Sequence, residues 1–261
     1  MKIKSLFVIL LMGLLVLAGC SNSSSDNEKK SEKSDSKDKK QELQISAAAS
    51  LTDVSKELKK EFEKDHKDAK VDFNYGGSGA LRQQVESGAP VDVIMSANTK
   101  DVDILKDKKK AHDTYNYAKN KLVLIGDKDK NYKSVKDLKD NEKLALGQIK
   151  TVPAGKYGKQ YLQENNLWDA TKDKVVYAKD VKQVLNYVQK GNAQQGFVYK
   201  TDLYKNKKKI DSVKEIKEVK LSKPITYEAG ATSDKKLAKE WMEFLKSDKA
   251  KQIIKDYQFS A

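Results

Sequence analysis

A chain of 261 residues with 52 basic groups against 38 acidic ones, a formal charge of +14, has the length for one large domain or two lobes of about 100 residues each. Such a basic excess would suit nucleic acid, yet all the basic residues but Arg82 are lysines, so the guanidinium fork that reads bases and phosphates is almost missing. A single cysteine excludes an internal disulfide, and with only two histidines beside it neither a zinc site nor histidine-dependent hydrolysis is expected.

The chain opens with Lys2 and Lys4 ahead of an apolar run from Leu6 to Ala18. That run is shorter than the roughly 20 residues of a membrane span and fits a secretory signal. Leu17-Ala18-Gly19-Cys20 matches the bacterial lipobox, whose cysteine becomes the lipid-bearing first residue of the mature protein. Residues 1–20 are therefore expected to be a signal peptide, and Cys20 to anchor the exported protein to the outer face of the cell membrane. Ser21 to Lys40 are all serine, asparagine, aspartate, glutamate or lysine, which can bury almost nothing, so residues 21–41 read as a flexible tether. Beyond it lysines alternate with acids, as in Lys56-Glu57-Leu58-Lys59-Lys60-Glu61. This is the mark of solvated helix faces, not of a nucleic-acid surface.

Short apolar strands then alternate with helical patterns. Leu43–Ala47 leads into a helix with Leu51, Val54, Leu58 and Phe62 on one stripe. Val71, Phe73 and Tyr75 alternate as a strand, Gly76-Gly77-Ser78-Gly79 turns into a helix over Ala80–Ser87, Val91–Met95 is a third strand, and a short helix follows Asn98. Leu122–Ile125 renews the pattern, followed by a helix near Ser134–Asp140, a strand at Lys143–Gly147 and a helix that Pro153 starts. Val175–Tyr177, Asp180–Lys190 and Gly196–Tyr199 read as strand, helix and strand, and a lysine-rich hairpin spans Leu203–Val219. Ile225–Ala229 is expected to cross back to the first lobe, with helices at Asp234–Leu245 and Ala250–Tyr257 finishing it. The predicted product is α/β, with mostly parallel sheets in two lobes: 42–121 and the return segment 225–261 form lobe 1, and 122–224 form lobe 2. Ligands of such sheets sit at the carboxyl ends of strands, in the cleft between lobes.

In Ala47-Ala48-Ala49-Ser50-Leu51-Thr52-Asp53 an apolar strand ends in a hydroxyl where a helix begins. A helix start offers unpaired N–H groups and the positive end of the peptide dipole, the makings of an anion site. Ser50 is expected to cap this helix and Asp53 to complete a Ser-x-x-Asp capping box. Taken alone, that is an ordinary capped helix. The same design of strand into helix start recurs at Ser78, Ala154 and Val181, with Asp180 as a cap presenting Val181, and Tyr199 closes a further strand. Trp168 and Trp241 are expected in cores, and Arg82 in a structural or surface role.

Taken with Gly88-Ala89-Pro90-Val91-Asp92, Val152-Pro153-Ala154-Gly155, Ala178-Lys179-Asp180-Val181 and Gly196-Phe197-Val198-Tyr199, these segments resemble the molybdate-binding proteins of bacterial ABC importers, from Leu43 to Phe259. The resemblance implies a two-lobed type II periplasmic-binding-protein fold, no enzyme activity and no cofactor beyond the bound molybdate or tungstate. It implies an oxyanion held by the hydroxyls of Ser50, Ser78 and Tyr199 and the backbone N–H groups of Ala154 and Val181. A membrane permease with its cytoplasmic ATPase would be the partner of a monomeric carrier. The turn at Ser78 carries fewer serines than in some relatives, and its alignment rests on Leu81-Arg82-Gln83. Sulfate and phosphate are the competing oxyanions, phosphate because its proton would want an acceptor such as Asp53 or Asp180. A hydrolase lacks support, since Gly76-Gly77-Ser78-Gly79-Ala80 misses the final glycine of a nucleophile elbow and His66 and His112 lie in charged stretches. A tethered adhesive protein would share the charge and the tether but needs no internal site.

Overall fold

The computed structural model describes residues 40–260; the expected signal segment with Cys20, and the expected tether as far as residue 39, lie outside the described residues. In chain order come β1 (Gln41–Ala48), α1 (Thr52–Asp65), β2 (Ala69–Gly76), α2 (Ser78–Glu86), β3 (Val93–Ser96), α3 (Thr99–Asp107) and β4 (His112–Asn120). Next are β5 (Leu122–Asp127), β6 (Leu144–Gly147), α4 (Pro153–Glu164), α5 (Trp168–Thr171), β7 (Val175–Ala178), α6 (Val181–Gln189) and β8 (Gln195–Tyr199). The short pair β9 (Tyr204–Lys205) and β10 (Lys208–Lys209), then β11 (Val213–Val219), β12 (Ile225–Ala231), α7 (Lys236–Lys246) and α8 (Asp248–Asp256) complete it.

Two five-stranded sheets result, ordered β2-β1-β3-β12-β4 and β11-β5-β8-β6-β7. β1 runs parallel to β2 and β3, and β6 parallel to β7 and β8. The sheets are mixed, a departure from the mostly parallel expectation: β12 is antiparallel to β3 and β4, and β5 is antiparallel to β8 and β11. Lys121 alone separates β4 from β5, so no helical crossover feeds β5, and a strand without a crossover is free to pair antiparallel. β12 re-enters the first sheet between β3 and the edge strand β4.

Layers explain the burial. Leu43, Ile45 and Ala47 of β1 are buried on one face while Ser46 and Ala48 are buried on the other, as strands covered on both sides require. α1 supplies Val54, Leu58 and Phe62, and Phe62 meets Trp241 of α7 edge to face, with centroids 5.1 Å apart. In the second sheet every residue of β8 is buried beneath α4 and α6. Trp241 is a core residue as expected; Trp168 is only half-buried, with the Lys159 ammonium 5.0 Å from its ring centroid. Two local expectations change. The stretch Ser134–Asp140 forms only a 3-10 turn, Val135–Asp137, because Asp137 folds back onto the N–H groups of Lys133 and Ser134 and the chain turns extended at Leu138. β4 has no counterpart in the sequence reading. No helix among the described residues is long and apolar enough to cross a membrane.

Candidate functional site

The carboxyl ends of β1, β2 and β8 and the starts of α2, α4 and α6 converge on one small pocket. Ser50, Ser78, Val181 and Tyr199 line it together with Gly76, Gly77, Val152 and Pro153. Ala154 is fully buried next to Pro153 but is not itself a lining residue. The space is tight, ≈ 10 Å³, beside a neighbouring cleft of ≈ 660 Å³ that shares Val152 and Pro153. That is room on the order of one water, so a polyatomic ion would need the walls to part slightly.

Each residue has a separate local reason for its place. β1 ends in a 3-10 turn, Ala49–Leu51, before α1 starts. This extra turn removes Ser50 from the cap position: Leu51 precedes α1, no side chain caps it, and the expected Ser50–Asp53 capping box does not form. The Ser50 hydroxyl instead meets that of Tyr227 at 2.8 Å, both buried. α2 begins at Ser78, two residues earlier than expected, and Ser78 Oγ accepts the N–H of Ala97 at 3.0 Å. Gly77 and Gly79 let this turn press on the opposing loop: a Cβ on Gly79 would lie 2.9 Å from Thr151 Cα, and its N–H donates to Thr151 O at 2.9 Å.

On the other side, Pro153 starts α4 and has no N–H, so Ala154 carries the first free donor of that helix. Asp180 caps α6 as expected, its Oδ1 accepting the N–H of Gln183 at 2.8 Å, which leaves Val181 as the first helical residue at the pocket wall. Tyr199 ends β8 with 1 % exposure, and among the described residues its hydroxyl has no hydrogen-bond partner. Burial, then the neighbouring Tyr227, hold its pKa well above the ordinary phenol value, so the proton stays on and the group is a donor in search of an acceptor.

Charge is kept off the pocket wall. Among the described residues no lysine, arginine, aspartate or glutamate lines it. Asp53 instead faces Lys182 at 3.5 Å, and Lys182 stands 3.2 Å from the fully buried Asp202. Burial pulls the Lys182 pKa down, but the two carboxylates outweigh it and the net shift is upward. Arg82 is committed to Glu86 and, at 2.9 Å, to Asp101, which gives it the structural role expected. No cluster of three or more metal-ligating side chains occurs among the described residues. Sequence reasoning missed Tyr227, Asn120 and Ala97, the groups behind the two serines, and no local motif marks them.

The chain has relatives among known proteins. Residues 43–260 match the family model described as bacterial extracellular solute-binding protein. The chain is 41% identical to YvgL of Bacillus subtilis, provisionally named an ABC transporter substrate-binding lipoprotein, over 100% of this chain and 99% of that one. It is 32% identical to the molybdate-binding protein ModA of Haemophilus influenzae, over 83% of this chain and 89% of the relative. In fold it matches the periplasmic molybdate-binding protein of Azotobacter vinelandii with a TM-score of 0.73 at 24% identity, covering 84% and 99% of the two chains.

Proposed function

The chain belongs to the family of bacterial extracellular solute-binding proteins, and on that footing we propose that it captures molybdate or tungstate outside the cell and delivers it to an ABC permease driven by a cytoplasmic ATPase. The observation that carries this reading is the Tyr199 hydroxyl, buried and unpartnered in a pocket it shares with Ser50 and Ser78. A dianion without protons needs donors alone, and an ion stripped of water must have its oxygens bonded. Three hydroxyls with the helix-start N–H groups of Ala154 and Val181 meet that demand without a countercharge. Charge-assisted hydrogen bonds contribute about 1.5–3 kcal/mol each, so five such donors support submicromolar capture after desolvation.

The partners of the two serines suit binding: Ser50 meets a tyrosine hydroxyl and Ser78 a backbone N–H, neither of which is a general base. The two carboxylates that would favour a protonated phosphate are turned elsewhere, Asp53 to Lys182 and Asp180 to its own helix. The lipobox and its Cys20, together with a lipoprotein-named relative matched along the whole chain, support a carrier anchored to the outer face of the cell membrane by a lipid. Calorimetric competition tests the ligand: one molybdate or tungstate per chain is expected, with sulfate and phosphate displaced. Heat from phosphate but none from molybdate would refute it. Replacing Cys20 by alanine should release the protein from the membrane fraction.

A further inference from the structure

A serine hydroxyl can give a proton or take one, and which it does toward an anion is decided by what stands behind it. Behind Ser78 the Ala97 N–H fills an oxygen lone pair at 3.0 Å, so the hydroxyl proton is left for the pocket. Behind Ser50 stands another hydroxyl, Tyr227 at 2.8 Å, and that pair alone has no direction. The direction is set one residue further back. The backbone N–H of Lys121 donates to Asn120 Oδ1 at 2.9 Å, and since such a group bonds only an acceptor, it fixes which end of the amide is oxygen. Asn120 Nδ2 therefore faces the Tyr227 hydroxyl at 3.2 Å and Thr201 Oγ1 at 2.8 Å as donor to both.

Tyr227 is fully buried, and burial raises its pKa well above the ordinary value, so the phenol keeps its proton. Its oxygen accepts from Asn120; among the described residues Ser50 is its other hydrogen-bonding neighbour, so its proton goes there. Ser50, having accepted, turns its own proton to the pocket. We propose that Asn120 and Tyr227 are positioning residues that lock Ser50 as a donor and so select fully deprotonated oxyanions over proton-bearing ones. This rests on the oxyanion-capture reading above. An anion that carries a proton must set its O–H against an acceptor, and a serine whose proton is turned to the pocket presents a donor at that place instead.

Asn120→Asp is nearly isosteric and reverses the relay. Three donors, the Lys121 N–H and the hydroxyls of Thr201 and Tyr227, would surround the new carboxylate and favour its charged form. Tyr227 then donates backward, Ser50 donates to Tyr227, and a lone pair faces the pocket. The experiment titrates the wild type, Asn120→Asp and Tyr227→Phe with molybdate and with phosphate at mildly alkaline pH, with circular dichroism melting as the check on folding. The wild-type titration tests capture by itself. Asn120→Asp should weaken molybdate by about tenfold or more and narrow the preference for molybdate over phosphate. Tyr227→Phe, which leaves Ser50 free to turn either way, should narrow it less, and it decides alone if the aspartate variant does not fold. Unchanged affinity and preference in the folded variants would overturn the relay while capture stands. A wild type that binds neither anion would overturn both.

Discussion

A buried hydroxyl without a partner costs about 1–3 kcal/mol, and Tyr199 bears that cost at the end of a fully buried strand. Tyr199→Phe therefore separates structure from function by sign. Thermal unfolding of the ligand-free variant should show stability unchanged or slightly higher, because the orphaned donor is gone. Calorimetry should show molybdate bound more weakly by about 1–3 kcal/mol, because a charge-assisted bond is gone too. Loss of stability together with unaltered affinity would make Tyr199 an ordinary core aromatic. Ser78 offers no such separation, since its oxygen also holds the Ala97 N–H and its removal disturbs the resting protein.

The pocket depends on how closely helix starts approach strand ends, and α4 is the tightest case. A Cβ on Gly155 would lie 1.9 Å from the carbonyl oxygen of Gly147, at the end of β6. Gly155→Ala must push the start of α4 off the sheet and carry the Ala154 N–H with it. Chemical denaturation should register a loss of about 1–3 kcal/mol, the usual cost of overpacking, and molybdate affinity should fall as well. Retained affinity would remove α4 from the site. Much of this scale was legible in the sequence, because Pro153, Asp180 and Asn98 mark helix starts through chemistry confined to a few neighbouring residues. β4 escaped because His112–Asn120 is largely polar and only its last residues are buried on both faces. Ser50 looks like a cap in the sequence because its partner in the structure, Tyr227, stands 177 residues away and no local pattern encodes the meeting.

At the scale of the whole molecule, contacts tie the halves built on the two sheets to each other around the pocket. Among them are the Gly79 to Thr151 backbone bond, the Asn120 to Thr201 side-chain bond, and the ion pair from Asp53 of α1 to Lys182 of α6. A pocket this tight with its lining drawn from both halves is a closed arrangement, and an ion enters only when these contacts part. Ligand favours closure because the closed form alone presents donors from both sides. The charged contact is the one that can be weakened selectively. Lys182→Met would strand the fully buried Asp202 and cost several kcal/mol, about 3–5 for a broken buried pair, so its effect on binding would be hidden under instability. Asp53→Asn leaves the Lys182–Asp202 pair in place and removes the charged link between halves, together with a pair to the exposed Lys56 at 3.7 Å within α1. Asp53 is partly exposed, so the ligand-free protein should lose no more than about 1 kcal/mol in denaturant melts. Molybdate chased by excess tungstate should nevertheless leave several-fold faster, with the association rate little changed, since the link forms only after the halves meet. An unaltered release rate would show that the donors themselves hold the closed form, with Asp53 serving only to neutralise Lys182.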